Sequence, residues 1–177
     1  MRTTHIRNPA KTYDNGNIAD YGHRESHELH ALNSAVQKGD AMTEITFTEE
    51  RDFTVEQVRK LFKSVGWVSA NYPEQLHKAL LGSSTVISAW DGDRLVGLVR
   101  ALDDGAMLAY VHYVLVDPEY QGNGIAGHMI DMLTDKYRDF FYIEVMPEES
   151  KNATFYQKHG FKVMDDGVAM QIVNPDW

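Results

Sequence analysis

Gly122-Asn123-Gly124-Ile125-Ala126-Gly127 stands between a long apolar run, Met107 to Val116, and a helical pattern that reaches about Tyr137. Three glycines in six positions cost helix stability, and no packing return for them is visible in the sequence. Glycine lets backbone approach a ligand closely. Free N–H groups at a helix start attract anions, phosphates above all. The stretch therefore reads as a phosphate cradle joining a strand to a helix; its rival is a helix start that is merely rich in glycine. Taken literally it fits G-x-G-x-x-G, and Glu144 follows 22 residues after Gly122, near where a ribose-binding acid would stand. Two facts oppose a dinucleotide fold. Asp117-Pro118-Glu119-Tyr120-Gln121 separates the strand from the first glycine, and only 50 residues follow Gly127. That is too few for the rest of a doubly wound sheet.

The segments before the glycines fix the sheet. Thr54 to Lys63 reads as a helix capped by Thr54, with Val55, Val58, Leu61 and Phe62 as its apolar stripe. Pro73 to Leu81 reads as a second helix, ended by Gly82. Strands are expected at 85–90, 95–102 and 107–116, joined at Asp91-Gly92-Asp93 and Asp104-Gly105. Turns this short force antiparallel pairing. The helix after the glycines then allows a parallel crossover to a strand at 140–146. A helix over 149–159 and strand material over 161–173, around Asp166-Gly167, close the chain. The fold class is α+β: a central mixed, mostly antiparallel sheet with helices on both faces.

Residues 1–41 differ from the rest. They carry five basic and five acidic side chains and few large apolar ones. We read 1–41 as a polar extension, disordered or docked through a helix, and 42–177 as the folded domain. His23, His27 and His30 would share a face of such a helix. A metal site there is conceivable, but a solvated polar face explains the spacing and no metal is expected. The net charge of −9 thus belongs to the second part, with 12 basic against 21 acidic residues. That balance argues against nucleic acid as partner. Cysteine is absent, which excludes disulfides, thiolate metal sites and a cysteine nucleophile. Nothing resembles a signal peptide or a membrane span, so a cytoplasmic protein without membrane association is expected.

Gln121-Gly122-Asn123-Gly124-Ile125-Ala126 also fits Q/R-x-x-G-x-G/A. With Val114-Leu115-Val116-Asp117-Pro118-Glu119-Tyr120 before it, this resembles the acyl-CoA-binding segment of the GNAT superfamily of N-acetyltransferases. Ala153-Thr154-Phe155-Tyr156-Gln157-Lys158-His159-Gly160-Phe161 resembles that superfamily's closing helix. The likeness covers about residues 43–173. One position departs from it: where the family often has Asn seven residues before the Tyr, this chain has Glu149, with an Asn instead at 152.

The resemblance implies direct transfer of acetyl from acetyl-CoA to a primary amine, without a metal. Gly122 to Gly127 would supply N–H donors to the pyrophosphate. Val114, Leu115 and Val116 would form the strand edge that pairs with pantetheine, on a strand that in the family bulges and splays from its neighbour. The Val114 N–H would polarise the thioester carbonyl. Tyr156 matches the general acid, although a core tyrosine is the alternative. Two candidates compete as base. His112, expected to share a face with Tyr110 and Val114, matches a histidine of arylalkylamine N-acetyltransferases. Glu144 resembles the base of ribosomal-protein N-terminal acetyltransferases. Either could instead be a partly buried polar residue with a local partner. The acceptor pocket in such folds lies at the link between the first two helices. Here that link offers Trp67 and Tyr72, with Tyr110 on the strand, for a small cationic or aromatic amine. The acidic domain would steer a cation toward it. A protein or peptide acceptor, a non-catalytic acyl-CoA-binding module and a nucleotide-dependent oxidoreductase are the other readings. Homodimers are common in the family.

Overall fold

Tight glycine turns organise the sheet. In the computed structural model, which describes residues 44–173, Gly92 and Gly105 take positive φ at the two hairpin turns. They join β2 (Thr85–Asp91), β3 (Arg94–Asp103) and β4 (Leu108–Val116) into an antiparallel meander. A short β1 (Thr46–Thr48) adds to β2, and β5 (Tyr142–Val145) pairs parallel to β4, giving the order β1-β2-β3-β4-β5. The extension expected at 1–41, the three histidines within it and its boundary with the domain lie outside the described residues.

The helices form for local reasons. α1 (Val55–Ser64) opens with a capping box: Gln57 N–H donates to Thr54 Oγ1 at 3.2 Å, and Thr54 N–H donates to Gln57 Oε1 at 2.8 Å. A 3₁₀ turn at Val68–Asn71 leads into α2 (Pro73–Leu81), which has proline at its first position. α3 (Ile125–Lys136) follows the glycines. The expected helix at 149–159 is divided into a 3₁₀ turn (Ser150–Asn152) and α4 (Ala153–Lys158).

Both sheet faces are covered. On one, Ile87, Val99, Ala101 and Val111 pack with Ile125, Met129, Ile130 and Leu133 of α3. On the other, Val86, Leu95, Leu98 and Leu115 pack with Val58, Leu61, Phe62, Leu76 and Leu80. Each fully buried aliphatic side chain contributes about 1.5–3 kcal/mol of transfer free energy. Tyr137 ties the end of α3 to the sheet, donating to Asp103 Oδ2 at 2.5 Å with Thr85 Oγ1 at 2.7 Å.

One expected element is missing. Residues 161–173 form no strand; the turn falls at Asp165–Asp166, closed by Gly167 N–H donating to Met164 C=O. Val168, Met170 and Ile172 alternate as a strand would, yet they are 85%, 91% and 100% exposed. Alternation names the face a strand would bury; it does not supply the neighbouring edge.

Candidate active site

The site begins where β4 leaves β5. The parallel ladder ends at Val111↔Val145. On the other side of β4, Tyr113 faces Arg100 and Val111 faces Ala101, so His112 is the extra residue of a β-bulge. Beyond it β4 runs on to Val116 beside a cleft of about 360 Å³. Val114, Leu115, Val116, Gln121, Ala126, Asn152, Phe155 and Tyr156 line that cleft, with Val65 from the end of α1.

Backbone direction along β4 follows from one bond. Asp117 N–H donates to Val96 C=O at 2.8 Å, toward β3. Alternation turns the Leu115 N–H the same way and those of Val114 and Val116 away from β3, toward the cleft. Gln121 agrees: its Nε2 donates to Val116 C=O at 3.0 Å, on that open side.

The residues between strand and glycines are anchors. Asp117 is buried, accepts from the Glu119 N–H, and takes Arg94 Nη2 at 2.8 Å. The same nitrogen reaches Glu119 at 2.6 Å. Tyr120 donates to Asp91 at 2.6 Å beneath the Arg94 guanidinium. The turn so held carries Gly122 and Gly124 at φ +82° and +77°. Gly124 is the N-cap of α3 without a side-chain cap, and the first intrahelical bond is His128 N–H to Gly124 C=O. The N–H groups of Ile125, Ala126 and Gly127 are therefore free for an anion. Asn123 only braces the turn, donating to Tyr120 C=O. Gly127 has a packing role after all: a Cβ there would lie 3.2 Å from His159 Cε1. His159 is pinned by Asp131 Oδ1 at 2.7 Å.

Tyr156 lies on the cleft wall, ringed by Phe155 and Phe161. Burial pushes its hydroxyl up to about 12, so it is a protonated donor throughout the neutral range. His112 and Glu144 are not in the cleft lining. Tyr110 and Glu144 are partners across the parallel ladder, and the bulge sets His112 near Tyr110 at 6.4 Å between rings. His112 does not share a face with Val114. The added residue shifts the alternation, so Val114 packs toward α3 while His112 lies 4.2 Å from the Tyr113 ring. Tyr113 in turn packs on Phe62 and Trp67 at the α1 end. Tyr72 is half-buried at the joint of the 3₁₀ turn and α2. His112 is an exposed residue, yet desolvation where its ring packs on Tyr113 and, secondarily, the Arg100 charge lower its pKa.

Sequence reasoning gave no site role to Val65, Asn152, Phe155 or Arg100. Asn152 precedes Tyr156 by one helical turn, so its place in the lining was open to a spacing argument. Val65 had no such signal. Arg100 did: it is a lone charge within the apolar run Leu95 to Leu102. Its Nη1 lies 3.5 Å from His112 Nδ1, and its guanidinium sits over Tyr113 at 5.3 Å.

Known proteins agree with this architecture. The model of the acetyltransferase (GNAT) family matches residues 49–161, and the chain belongs to that family. It is 30% identical over 146 residues to GCN5-related N-acetyltransferase 2, chloroplastic, of Arabidopsis thaliana, covering 71% of this chain and 56% of that protein. It is 30% identical to histone acetyltransferase TAP1 of Glycine max, over 71% of this chain and 59% of the other. The chain thus spans little more than half the length of these two relatives. A GNAT-family acetyltransferase from Streptococcus pneumoniae TIGR4 superposes with a TM-score of 0.65 at 30% identity, covering 75% of this chain and 99% of the other. That family generally uses acetyl-CoA. Among the described residues no group of three or more His, Asp or Glu is gathered to hold a metal. No helix there is long and apolar enough to cross a membrane.

Proposed function

We propose that the protein transfers acetyl from acetyl-CoA directly to the primary amine of a small molecule. The observation that carries this reading is the splayed end of β4, with Tyr156 and the free N–H groups of α3 on one cleft. The residues from Gly122 to Gly127 hold the pyrophosphate, and Val114 to Val116 hold the pantetheine edge. The Val114 N–H polarises the acyl carbonyl. His112, kept neutral by burial and by Arg100, takes a proton from the ammonium and passes it to solvent. The N–C bond forms, the C–S bond breaks, Tyr156 gives its proton to the departing sulfur, and the second proton shed by the nitrogen as the amide forms restores the Tyr156 hydroxyl. Trp67 and Tyr113 supply an aromatic wall for the acceptor. A second reading, acetylation of a protein, is favoured by the relative named as a histone acetyltransferase.

Calorimetric titration of acetyl-CoA, CoA and NADH, followed by an amine screen with thiol detection, tests this. CoA binding without NADH binding and thiol release with a small amine are expected. Tyr156→Phe should keep the CoA affinity within about twofold and lower kcat by about 100-fold or more. Absence of CoA binding would overturn the reading, and thiol release only with a protein acceptor would select the second one.

A further inference from the structure

The α1–α2 face of the sheet holds a cation that the transfer chemistry above does not consume. Arg100 is flanked on its strand by Val99 and Ala101, which face the α3 core, so its side chain emerges on the opposite face. Its cross-strand neighbours are Val86 and Tyr113, neither of them acidic. Among the described residues no carboxylate pairs with it, whereas Arg59, Arg94, Lys136, Arg138 and Lys151 each pair with one, His159 contacts Asp131, and Arg51 donates to two backbone carbonyls. Its Nε is buried without a hydrogen-bond partner. A guanidinium in apolar surroundings with an unspent donor is costly unless an anion completes it.

The geometry points to a carboxylate-bearing acceptor: a free α-amino acid with an aromatic or other apolar side chain, its carboxylate on Arg100 and its amine at His112. This rests on the acetyl-transfer reading. The spacing suits it, because Arg100 Nη1 and His112 Nδ1 are 3.5 Å apart and an α-amino acid carries both groups on one carbon. Chemistry adds a second reason. Arg100 can only donate, so its Nη1 is directed at the His112 lone pair. A carboxylate takes up those donors and releases Nδ1 to accept the proton of the ammonium beside it. The bonds exchanged are those of the transfer itself: N–C forms, C–S breaks, and one proton leaves through His112. Leu102, Tyr113 and Trp67 offer the side chain an apolar surround, Leu102 being the ladder partner of Tyr110.

Matched pairs on the full chain test this: tryptophan against tryptamine, and phenylalanine against phenethylamine. The wild type should favour the amino acid at least tenfold in kcat/KM, mostly through KM. Arg100→Gln should lose that preference, and Arg100→Lys should restore part of it. Calorimetry of N-acetyltryptophan and N-acetyltryptamine with CoA present gives a readout without turnover. There the carboxylated product should bind at least tenfold tighter, through Arg100. Such binding without any turnover leaves the carboxylate site at Arg100 standing and sinks the transfer reading. Equal use and binding of both members, binding of neither, or a preference that survives in Arg100→Gln overturns the inference.

Discussion

At the scale of single residues, environment divides the titratable groups into donors and acceptors of protons. Tyr156 is desolvated and held up at about 12, so it has a proton to give at any working pH. His112 is shifted the other way, by burial first and by the Arg100 charge second. The signs give a pH prediction. A base acts unprotonated, and a lowered pKa keeps His112 unprotonated below the ordinary histidine value of about 6.5. The acid limb of kcat/KM should therefore lie below that value, and no basic limb from Tyr156 should enter in the neutral range. Arg100→Gln removes the coulombic part and should move the acid limb upward; His112→Gln should remove it. An acid limb unchanged in His112→Gln would transfer the role to Glu144. The resemblance brought both candidates into view, because each stands where a relative's base is placed. The sequence could not show that the bulge at His112 groups it with Arg100 rather than Val114, since Tyr110, His112 and Val114 alternate without interruption.

At the scale of elements, glycines that look alike in sequence do different work. Gly122 and Gly124 are there for their positive φ. Side chains adopt that region at a cost of about 1–2 kcal/mol. Gly127 has ordinary helical backbone, and what it supplies is room for His159. The ring has little freedom to retreat, being fixed by Asp131 on one side and lying 4.9 Å from Phe155 on another. Gly127→Ala should therefore destabilise the protein by about 1 kcal/mol in urea unfolding, despite alanine's better helix propensity. In a His159→Ala background the same change should become neutral or stabilising. A double-mutant cycle reads this directly, and an equal cost in both backgrounds would show that the contact is not the cause. The turns, caps and hairpins were legible because each is written in adjacent residues, as in Thr54 with Gln57. The role of Gly127 was not, because its partner lies 32 positions away on another helix.

At the scale of the molecule, α3 belongs to the core and to the site at once. Its buried residues Ile125, Met129, Ile130 and Leu133 seat it on the sheet, and its first turn presents the free N–H groups. The seat depends on Gly97 of β3, where a Cβ would meet Ile125 Cγ2 and Met129 Cε at 3.2 Å and Ala89 Cβ at 3.3 Å. A side chain there must push α3 outward, and the anion site moves with it. Gly97→Val should cost about 1–3 kcal/mol in unfolding free energy and weaken CoA binding, although Gly97 is not itself a lining residue of the cleft. The two losses are linked by mass action. Ligand at 100 times the variant's own Kd should return about 2.7 kcal/mol, as it does for the wild type at 100 times its smaller Kd. Urea titrations with and without CoA, set beside calorimetric Kd values, measure both quantities. Loss of stability with unchanged CoA affinity would separate the seat of α3 from the site, and leave the cradle fixed by the Asp117–Arg94 anchor alone.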